Sequence, residues 1–537
     1  MTRIMNSLKR SIAFTLFAVS LLSYSYFYQG GGQNEAARFD LIRSFLDEQR
    51  LIIDTFTANS ADVIVVNSHV YSGKAPGTFY LGVVPYWLTT SSLNLFSVEA
   101  DIRDHVGCLV ATIFAVSLPA ALTLVLLYWL GLGFGATRRD SAAGALVIGL
   151  ATIIFPFATI FFSHVTAAFC LLLAFYQIFS YRQNHDLVSL PDRNDGTLES
   201  WRFMVAGISL GFSINLEYPS AIGVVWLTLY GLISLRSGER LRLFGTLLVG
   251  IFIGLIPLFV YNWYAFHNPF YVTYEAYAHS ATTQFTAHKQ GILGIRLPFL
   301  DPSAWPQFWS NFVEISVKPL RGLFFANPVL LLALVGYASV FRLKRFWHIN
   351  YRDEFFVSLL MLMSYFGLNA SFGDSITYWG GGASFGPRYL IVMIPFLMLP
   401  LMKSLEYAWV RAAFVPLALV SAFQCLMATA IEPRTPYSPP NPIYFFYFPR
   451  YLTGVLSINQ IGIFSNRQLT INSVAFNWGK LWNFPPNLQL APLFAIWLIA
   501  AYALDRQLQI KSRGFLFATG IYVMIAAGIP LCALAFA

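Results

Sequence analysis

The sequence predicts an all-α polytopic membrane protein with about 13 transmembrane helices and a large first extracytoplasmic loop. Of the 537 residues, 57% are hydrophobic and only 11% are charged, and the mean hydropathy is +0.60. This composition excludes a soluble globular protein. Apolar runs long enough to span a bilayer as helices recur along the whole chain. They are continuous, whereas a transmembrane β-barrel needs alternating segments of about ten residues.

The first element is an uncleaved helix. A basic N-terminus precedes the first apolar run, which ends in the bulky residues Tyr24 to Tyr28, where a signal-peptide cleavage site needs small ones. Further runs follow, each predicted to cross the membrane. The predicted spans are 12–28, 105–133, 143–163, 165–181, 203–216, 218–235, 243–265, 322–341, 355–371, 389–404, 410–430, 490–505 and 514–536.

A fourteenth apolar stretch, 79–96, is predicted to lie at the membrane interface rather than to cross. If it does not cross, every strongly basic short loop falls on one side, which the positive-inside rule assigns to the cytoplasm together with the N-terminus. Pro85 and several Ser and Thr residues in this stretch also favour an interfacial helix. The basic loops are Arg138–Arg139, Arg236–Arg242, Arg342–Arg345 and Arg506–Arg513.

The net charge of +9 is explained mostly by these cytoplasmic loops, and we expect no nucleic-acid partner because no basic stripe is interleaved with aromatic residues. The four cysteines lie inside apolar runs, where cysteine acts as a small hydrophobic residue. Their spacing predicts neither a disulfide framework nor a metal site.

The predicted topology places the long polar segments on the outer face of a single domain, 1–537. They are 29–104, which we call the first outer loop, 266–321, 372–388 and 431–489. A secondary transporter usually has internal repeats and a site at the bilayer midplane, and no convincing repeat is found here. The position of these long polar segments therefore favours an active site at the outer face.

The first outer loop concentrates charge in a chain that has little, with six acids and four bases between Glu35 and Lys74. Carboxylates near a membrane face can act as general bases when burial tunes their pKa. The candidates are Glu35, which lies just outside the first helix and within a turn of Arg38, and the acids Asp54 and Asp62, for which a structural role is equally plausible. Asp47 lies among basic residues and is better explained as part of a solvated helix.

Two glycine-containing turns carry candidate anion-binding residues. Lys74 lies between Gly73 and Pro76, in a stiff turn that can present an ammonium group to a phosphate. Trp379 precedes three glycines that allow close backbone approach to a ligand, and Arg388 follows them at the outer end of a predicted span. Arg388 is either an interface anchor or an anion clamp, and the glycine-rich turn favours the clamp.

Two residues elsewhere are ambiguous. Glu217 lies in an apolar context, so it is a functional candidate, but the topology puts it at a helix end where a hydrogen-bonded interfacial role is equally plausible. His164 is expected to be structural. The histidines His267, His279 and His288 lack metal-ligand spacing, so no metal is assigned, although a divalent metal remains possible.

The loop motifs resemble those of the GT-C superfamily of integral-membrane glycosyltransferases, especially the lipid A aminoarabinose transferases and the protein O-mannosyltransferases. Those enzymes open the first outer loop with an Asp-Glu-x-Arg-Tyr type motif. When Arg38-Phe39 is aligned with its arginine and aromatic residue, the acid falls on Glu35. If the alignment slips by one, Asn34 takes that position and Asp54 or Asp62 must serve instead.

The same enzymes close that loop with a Tyr-x-x-Lys-Pro-Pro type turn, followed by an apolar stretch. Here Tyr71, Lys74 and Pro76 match, Ala75 replaces the first proline, and 79–96 is the apolar stretch. The resemblance covers the topology of the whole chain, but at motif level it rests on the first outer loop and on 379–389.

The resemblance implies a sugar donor carried on polyprenyl phosphate, presented from the outer leaflet, and an inverting transfer to an acceptor hydroxyl. One of the acids would take the acceptor proton, while Lys74 and Arg388 would hold the departing lipid phosphate. Arg38, Tyr71 and Trp379 would complete the binding site. No tightly bound cofactor is required.

Two other functions remain open. A transporter or flippase of a lipid-linked saccharide would also bind polyprenyl phosphate but would not need the neighbouring carboxylates. A membrane scaffold is less favoured, because it would not need the charge concentrated in the first outer loop. Short loops fit a bacterial inner membrane. The sugar and the acceptor, whether glycan, lipid or protein, have no readable motif.

Overall fold

The computed structural model describes residues 2–60, 62–186, 196–274, 276, 295–342, 351–372, 381–436, 439–459, 475–510 and 513–535. The described chain is almost entirely helical. Its N-terminal half contains α1 (Thr2–Ser25), α2 (Gln33–Arg43), α3 (Gly77–Leu95), α4 (Ala100–Thr112), α5 (Leu118–Gly133), α6 (Arg138–Leu150), α7 (Ile154–Phe157), α8 (His164–Asp186), α9 (Gly196–Leu216), α10 (Ser220–Ile233) and α11 (Arg240–Phe266).

The C-terminal half continues the helical pattern. It contains α12 (Trp305–Ser316), α13 (Leu323–Ala326), α14 (Leu331–Arg342), α15 (Arg352–Ala370), α16 (Met398–Ser404), α17 (Ala408–Ile431), α18 (Phe448–Leu452), α19 (Trp478–Leu481), α20 (Ala491–Gln507) and α21 (Gly514–Ala535). The 3₁₀ segments are Asp54–Asn59, Pro302–Ala304, Pro328–Leu330, Arg388–Leu397 and Pro486–Leu488, and the π turns are Ser44–Glu48, Ile113–Ser117 and Ile443–Tyr447.

Five helices among the described residues are long and apolar enough to cross a membrane, and three shorter ones are also apolar. The long ones are Ala100–Gly133, His164–Asn184, Arg240–Phe266, Ala408–Ile431 and Pro486–Gln507. The chain is thus a helical integral membrane protein, and the predicted number of 13 spans is left undecided. The stretch predicted to lie at the interface, 79–96, falls in α3.

Glycines allow two helices, α9 and α11, to touch backbone to backbone. A Cβ atom on Gly211 would lie 2.1 Å from the carbonyl oxygen of Ile251, and one on Gly254 would lie 2.4 Å from that of Ile208. Gly207 and Gly250 make the equivalent contact one turn away. These residues form two facing Gly-x-x-x-Gly motifs, the pattern that permits close packing of helices in membranes.

A short hairpin positions Asp62 and Lys74 of the first outer loop. Its strands are β2 (Val63–Val66) and β3 (His69–Ser72), which pair antiparallel with Val63 opposite Ser72. The residues just outside the paired strands therefore meet, and the backbone N–H of Gly73 donates to the carbonyl of Asp62. Asn67 and Ser68 form the tight turn with positive φ angles of 49° and 65°.

A second pair of strands, β1 (Phe27–Tyr28) and β4 (Phe476–Asn477), joins the end of α1 to the C-terminal outer segment. The side chain of Tyr26 reinforces this junction by donating to the carbonyl of Gln489 at 2.5 Å. The start of the first outer loop is thereby held against residues more than 400 positions away.

Candidate functional site

The hairpin brings Asp62 and Lys74 into an ion pair. The Lys74 ammonium lies 2.8 Å from the Asp62 carboxylate, and both side chains are less than one-fifth exposed. The hydroxyl of Thr273, in the second outer segment, donates to the carbonyl of Gly73 and holds this turn from the other side. The lysine turn predicted from glycine and proline spacing is therefore anchored on two sides.

One face of α2 extends the network inward. Asn34 and Arg38 are four residues apart, so they lie on the same face of the helix. The Asn34 amide donates to Asp62 at 3.2 Å, and the Arg38 guanidinium donates to Asn34 at 2.9 Å. Arg38 also donates to the hydroxyls of Thr78 and Ser163, and it is almost completely buried.

Glu217 is the second carboxylate of the network. It lies between α9 and α10, accepts a hydrogen bond from Ser163, and is 3.6 Å from Arg38 and 3.2 Å from the Nδ1 atom of His164. Burial by itself raises the pKa of Glu217, but His164, Arg38, Ser163 and Lys74 together hold it below its ordinary value. Arg38, Ser163 and Lys74 thus favour the charged form of this carboxylate.

Gly77 permits the lysine turn and the Glu217 loop to approach each other. A Cβ atom on Gly77 would lie 2.6 Å from the carbonyl oxygen of Asn215. Because the obstacle is backbone, no side-chain movement could relieve the clash. The glycine that follows Pro76 in the predicted turn is thus required for packing rather than for contact with a ligand.

Arg388 supplies a cation with no carboxylate at ion-pair distance among the described residues. Its guanidinium lies over the rings of Phe162 and Tyr389, at 4.9 and 5.4 Å from their centroids, and its Nε atom is buried without a hydrogen-bond partner. Burial lowers the pKa of Arg388, but Tyr389, Asp62 and Glu217 raise it above the ordinary value, so both carboxylates act on this cation. Gly381, with φ at +71°, lies against the arginine stem, where a Cβ atom would come within 2.8 Å.

We call Arg38, Asp62, Lys74, Glu217 and Arg388 the charged cluster. Among the described residues, three cations face two carboxylates, which leaves one positive charge in this largely buried part of the site. Buried charge is costly unless it is paired. The described part of the site is therefore suited to bind a singly charged anion beside Arg388.

Two solved structures that resemble this chain in overall fold are those of ArnT from Cupriavidus metallidurans, a lipid A aminoarabinose transferase. One of them is bound to undecaprenyl phosphate. They share 14% identity, cover 98% of this chain and 77% and 76% of theirs, and have TM-scores of 0.43 and 0.41. The Archaeoglobus fulgidus oligosaccharyltransferase shares 13%, covers 78% of this chain and 55% of its own, and has a TM-score of 0.40.

These structural neighbours are GT-C enzymes, in agreement with the resemblance predicted from the loop motifs. No protein-family model and no curated sequence matches the chain. At 13–14% identity and TM-scores below 0.5, the likeness alone assigns neither a family nor an activity to this chain.

Glu35 lies outside the charged cluster, although it is the acid that the motif alignment selects. Its side chain points to another face of α2, is fully buried and lies 3.1 Å from Arg434, which also binds Glu432 at 2.6 Å. One Glu35 oxygen has no partner. Gly32 makes room for this triplet, since a Cβ atom there would lie 2.7 Å from the Arg434 guanidinium.

The charged cluster also lacks three other residues that were predicted for the site, Asp54, Tyr71 and Trp379. Asp54 lies on the exposed side of the hairpin, where it binds His69 at 2.8 Å and caps the backbone N–H of Val70. The Tyr71 ring is buried against Phe266 at the end of α11. Trp379 lies outside the described residues.

The structure adds residues that sequence reasoning did not select. His164, expected to be structural, contacts Glu217, and Glu217 itself belongs to the charged cluster. Ser163 and Thr78 bind Arg38. For Glu217 the signal was present, since an acid in an apolar context is unusual. Arg434 and Glu432 had no readable motif around them.

Proposed function

We propose that the chain is a glycosyltransferase that moves a sugar from a polyprenyl-phosphate donor to an acceptor hydroxyl at the outer face of the membrane. The observation that carries the proposal is the position of Arg388, whose guanidinium lies over two aromatic rings with no carboxylate at ion-pair distance among the described residues. The phosphodiester of such a donor carries one negative charge. A lipid donor can reach a site of this kind by diffusing within the outer leaflet.

The cations would act on the leaving group. As the bond between the anomeric carbon and the phosphate oxygen breaks, charge accumulates on the polyprenyl phosphate, and Lys74 and Arg388 would stabilise it. Fixed cations in a site of low polarity are among the strongest contributions to catalysis. The acceptor oxygen would attack from the opposite side of the sugar, so the anomeric configuration would be inverted.

A base must take the acceptor proton in the same step. Of the three acids predicted from the sequence, Asp62 alone lies in the charged cluster. Asp62 is paired with Lys74, and a bound phosphate would compete with it for that ammonium. The protein cations provide the positive charge, so no step requires a metal.

A transporter or flippase of a lipid-linked saccharide is the alternative. It would need the same cations, but it would not need a base beside them. The half-buried Asp62 and the buried Glu217 favour the transferase, because carboxylates in an anion site weaken binding unless they serve another purpose. We place the protein in a bacterial inner membrane, with its N-terminus in the cytoplasm and the charged cluster on the extracytoplasmic side.

The test is transfer by the purified protein from a panel of radiolabelled polyprenyl-phosphate sugars to a membrane extract. We expect label in a new glycosidic product, and strongly reduced transfer for Asp62→Asn. The same preparations in sealed vesicles would report transport. Movement of the lipid-linked sugar across the vesicle membrane without a covalent product would overturn the transferase proposal and support the flippase.

A further inference from the structure

A histidine and a carboxylate form a buried pair next to the charged cluster. The Nδ1 atom of His164 lies 3.2 Å from Glu217, and the two side chains are 5% and 7% exposed. His164 is the first residue of α8, and Glu217 belongs to the turn between α9 and α10. Two separate elements therefore converge to make this contact.

The carboxylate determines which nitrogen of the imidazole carries the proton. Nδ1 is the ring nitrogen at ion-pair distance from Glu217, and an ionised carboxylate accepts hydrogen bonds without donating any, so we infer that the neutral ring carries its proton on Nδ1. The other nitrogen, Nε2, is then a bare acceptor. The described residues provide it with no hydrogen-bond partner, so it is available to a hydroxyl group.

The ring lies where the donor phosphate is expected. His164 packs edge-on against Tyr389 and Phe162, with centroids 5.6 and 6.0 Å apart. The Arg388 guanidinium lies over the same two rings. An anion held by Arg388 and a hydroxyl bound to His164 would therefore lie in one site, with the sugar between them, so that the hydroxyl could attack the anomeric carbon from the side opposite the phosphate.

Asp62 is less suited to take a proton. One of its oxygens is paired with the Lys74 ammonium at 2.8 Å, and the other accepts from the Asn34 amide at 3.2 Å. Both donors favour the charged carboxylate over the protonated acid. Burial and the cations Arg388, Arg38 and Lys74 also disfavour the protonated His164 ring, whereas the Glu217 carboxylate behind it favours that form.

We propose that His164, oriented by Glu217, is the base that takes the acceptor proton, and that Asp62 serves to position Lys74. The inference rests on the proposed function. The acceptor oxygen forms its bond to the anomeric carbon, its proton passes to Nε2, and the electron pair of the broken bond leaves with the phosphate. Glu217 stabilises the imidazolium that results, and solvent later removes the proton.

The proposal predicts a pH dependence with a defined direction. The charged and titratable groups that face His164 are Glu217, Arg38, Lys74, Arg388 and Tyr389. Activity should fall at low pH, where the imidazole is protonated and cannot accept a proton. Glu217→Gln removes the negative charge that favours the imidazolium, so this fall should move to lower pH.

The experiment measures kcat, KM for the donor, and the pH profile of transfer for His164→Gln and Glu217→Gln. We expect His164→Gln to lower kcat by roughly a hundredfold or more with little change in donor KM. Asp62→Asn should mainly raise donor KM. His69→Gln is the matched control, because His69 also pairs with a carboxylate, Asp54, but on the exposed side of the hairpin.

Binding of polyprenyl phosphate and thermal unfolding of each variant show whether the site stays intact, and His164→Asn serves if the glutamine variant unfolds. A folded His164 variant that binds the lipid and keeps wild-type kcat would overturn the inference. An unchanged pH profile in Glu217→Gln would do the same. Neither result would contradict the proposed function, which fails only if the wild-type protein transfers no sugar.

Discussion

At the scale of single residues, the site depends on how each charge is compensated. Lys74 is balanced by Asp62, and Arg38 by Glu217, whereas Arg388 has two aromatic rings and no carboxylate at contact distance within the described chain. A cation held in this way can bind an anionic ligand readily, because the ligand does not have to displace a carboxylate from the guanidinium.

Removing either anion-binding cation should abolish transfer without unfolding the protein. We expect Lys74→Ala and Arg388→Ala to lower kcat/KM by about a hundredfold or more, because each removes charge stabilisation from the leaving phosphate. Arg296→Ala is the control, as Arg296 pairs with Asp301 at the surface. Full transfer by both variants would show that the charged cluster is not the site.

Asp40 should make the stability of the protein depend on pH. Burial raises the pKa of Asp40 to about 7, and the Asn59 amide and Arg43 only partly offset this effect. A carboxyl group whose pKa is raised on folding binds more protons in the folded state, so stability falls as pH rises from about 4 to about 7. Asp40→Asn should therefore melt higher than wild type at pH 8.

The same comparison at pH 4 provides the control, because Asp40 is then protonated in the folded protein and the advantage of asparagine should disappear. The readout is the thermal unfolding midpoint in detergent at both pH values. An equal difference between the two proteins at pH 4 and pH 8 would contradict the expected titration of Asp40.

Sequence reasoning was most informative where a residue type and its immediate neighbours carry the information. Lys74 and Arg388 were both predicted to bind anions, which stays a prediction, and the structure brings them into one cluster. The sequence could not separate Glu35 from Asp62, because a motif does not determine the direction in which each side chain points. The pairing of Glu35 with Arg434 joins positions 399 residues apart.

At the scale of elements, short segments with unusual geometry position the site. The hairpin aligns Asp62 with Lys74, and the 3₁₀ segment Arg388–Leu397 carries Arg388 at its end. A 3₁₀-helix rises about 2.0 Å per residue instead of 1.5 Å, so ten residues reach about 5 Å further than in an α-helix.

The contact between α9 and α11 should be intolerant of even a methyl group. Gly211→Ala places a Cβ atom against the carbonyl of Ile251, and overpacking of this kind costs about 1–3 kcal/mol. We expect a lower thermal unfolding midpoint. Gly245→Ala, in α11 with no atom within 4 Å of its Cβ position, should be tolerated.

If Gly211→Ala and Gly245→Ala unfold at the same temperature, the close packing of the two helices is wrong. Both motifs are visible in the sequence as glycines four residues apart. The sequence alone does not tell which helices they join, since any two spans with small residues could meet in this way. The hairpin was likewise hidden, because its strands are only four residues long.

At the scale of the whole molecule, distant outer segments hold the first outer loop in place. Arg434, which follows α17, binds Glu35 of α2, Glu432 and the carbonyl of Gln29. The strand pair of β1 and β4 adds a second junction. The predicted long outer segments thus support the site from several directions, although they carry no motif of their own.

Arg434 should be essential for folding. Arg434→Met leaves Glu35 and Glu432 buried without a cation, and breaking such a buried pair costs about 3–5 kcal/mol. Burial already raises the pKa of Glu432, so the loss should be smaller at low pH, where this carboxylate takes up a proton. Thermal unfolding at pH 5 and pH 8 checks this expectation.

The informative comparison is Arg434→Met combined with Glu35→Gln and Glu432→Gln, which removes all three charges. Because no buried charge is then left unpaired, we expect this variant to be more stable than Arg434→Met alone. If it is less stable, the triplet does not act through charge compensation.

We propose above all that the protein transfers a sugar from a polyprenyl phosphate at the charged cluster. The most direct measurement is the amount of free polyprenyl phosphate released for each glycosidic bond formed by the purified protein, followed by mass spectrometry. The account predicts one molecule released per bond formed, and none for Lys74→Ala. Intact recovery of every lipid-linked sugar tested, with no new glycosidic bond, would contradict it.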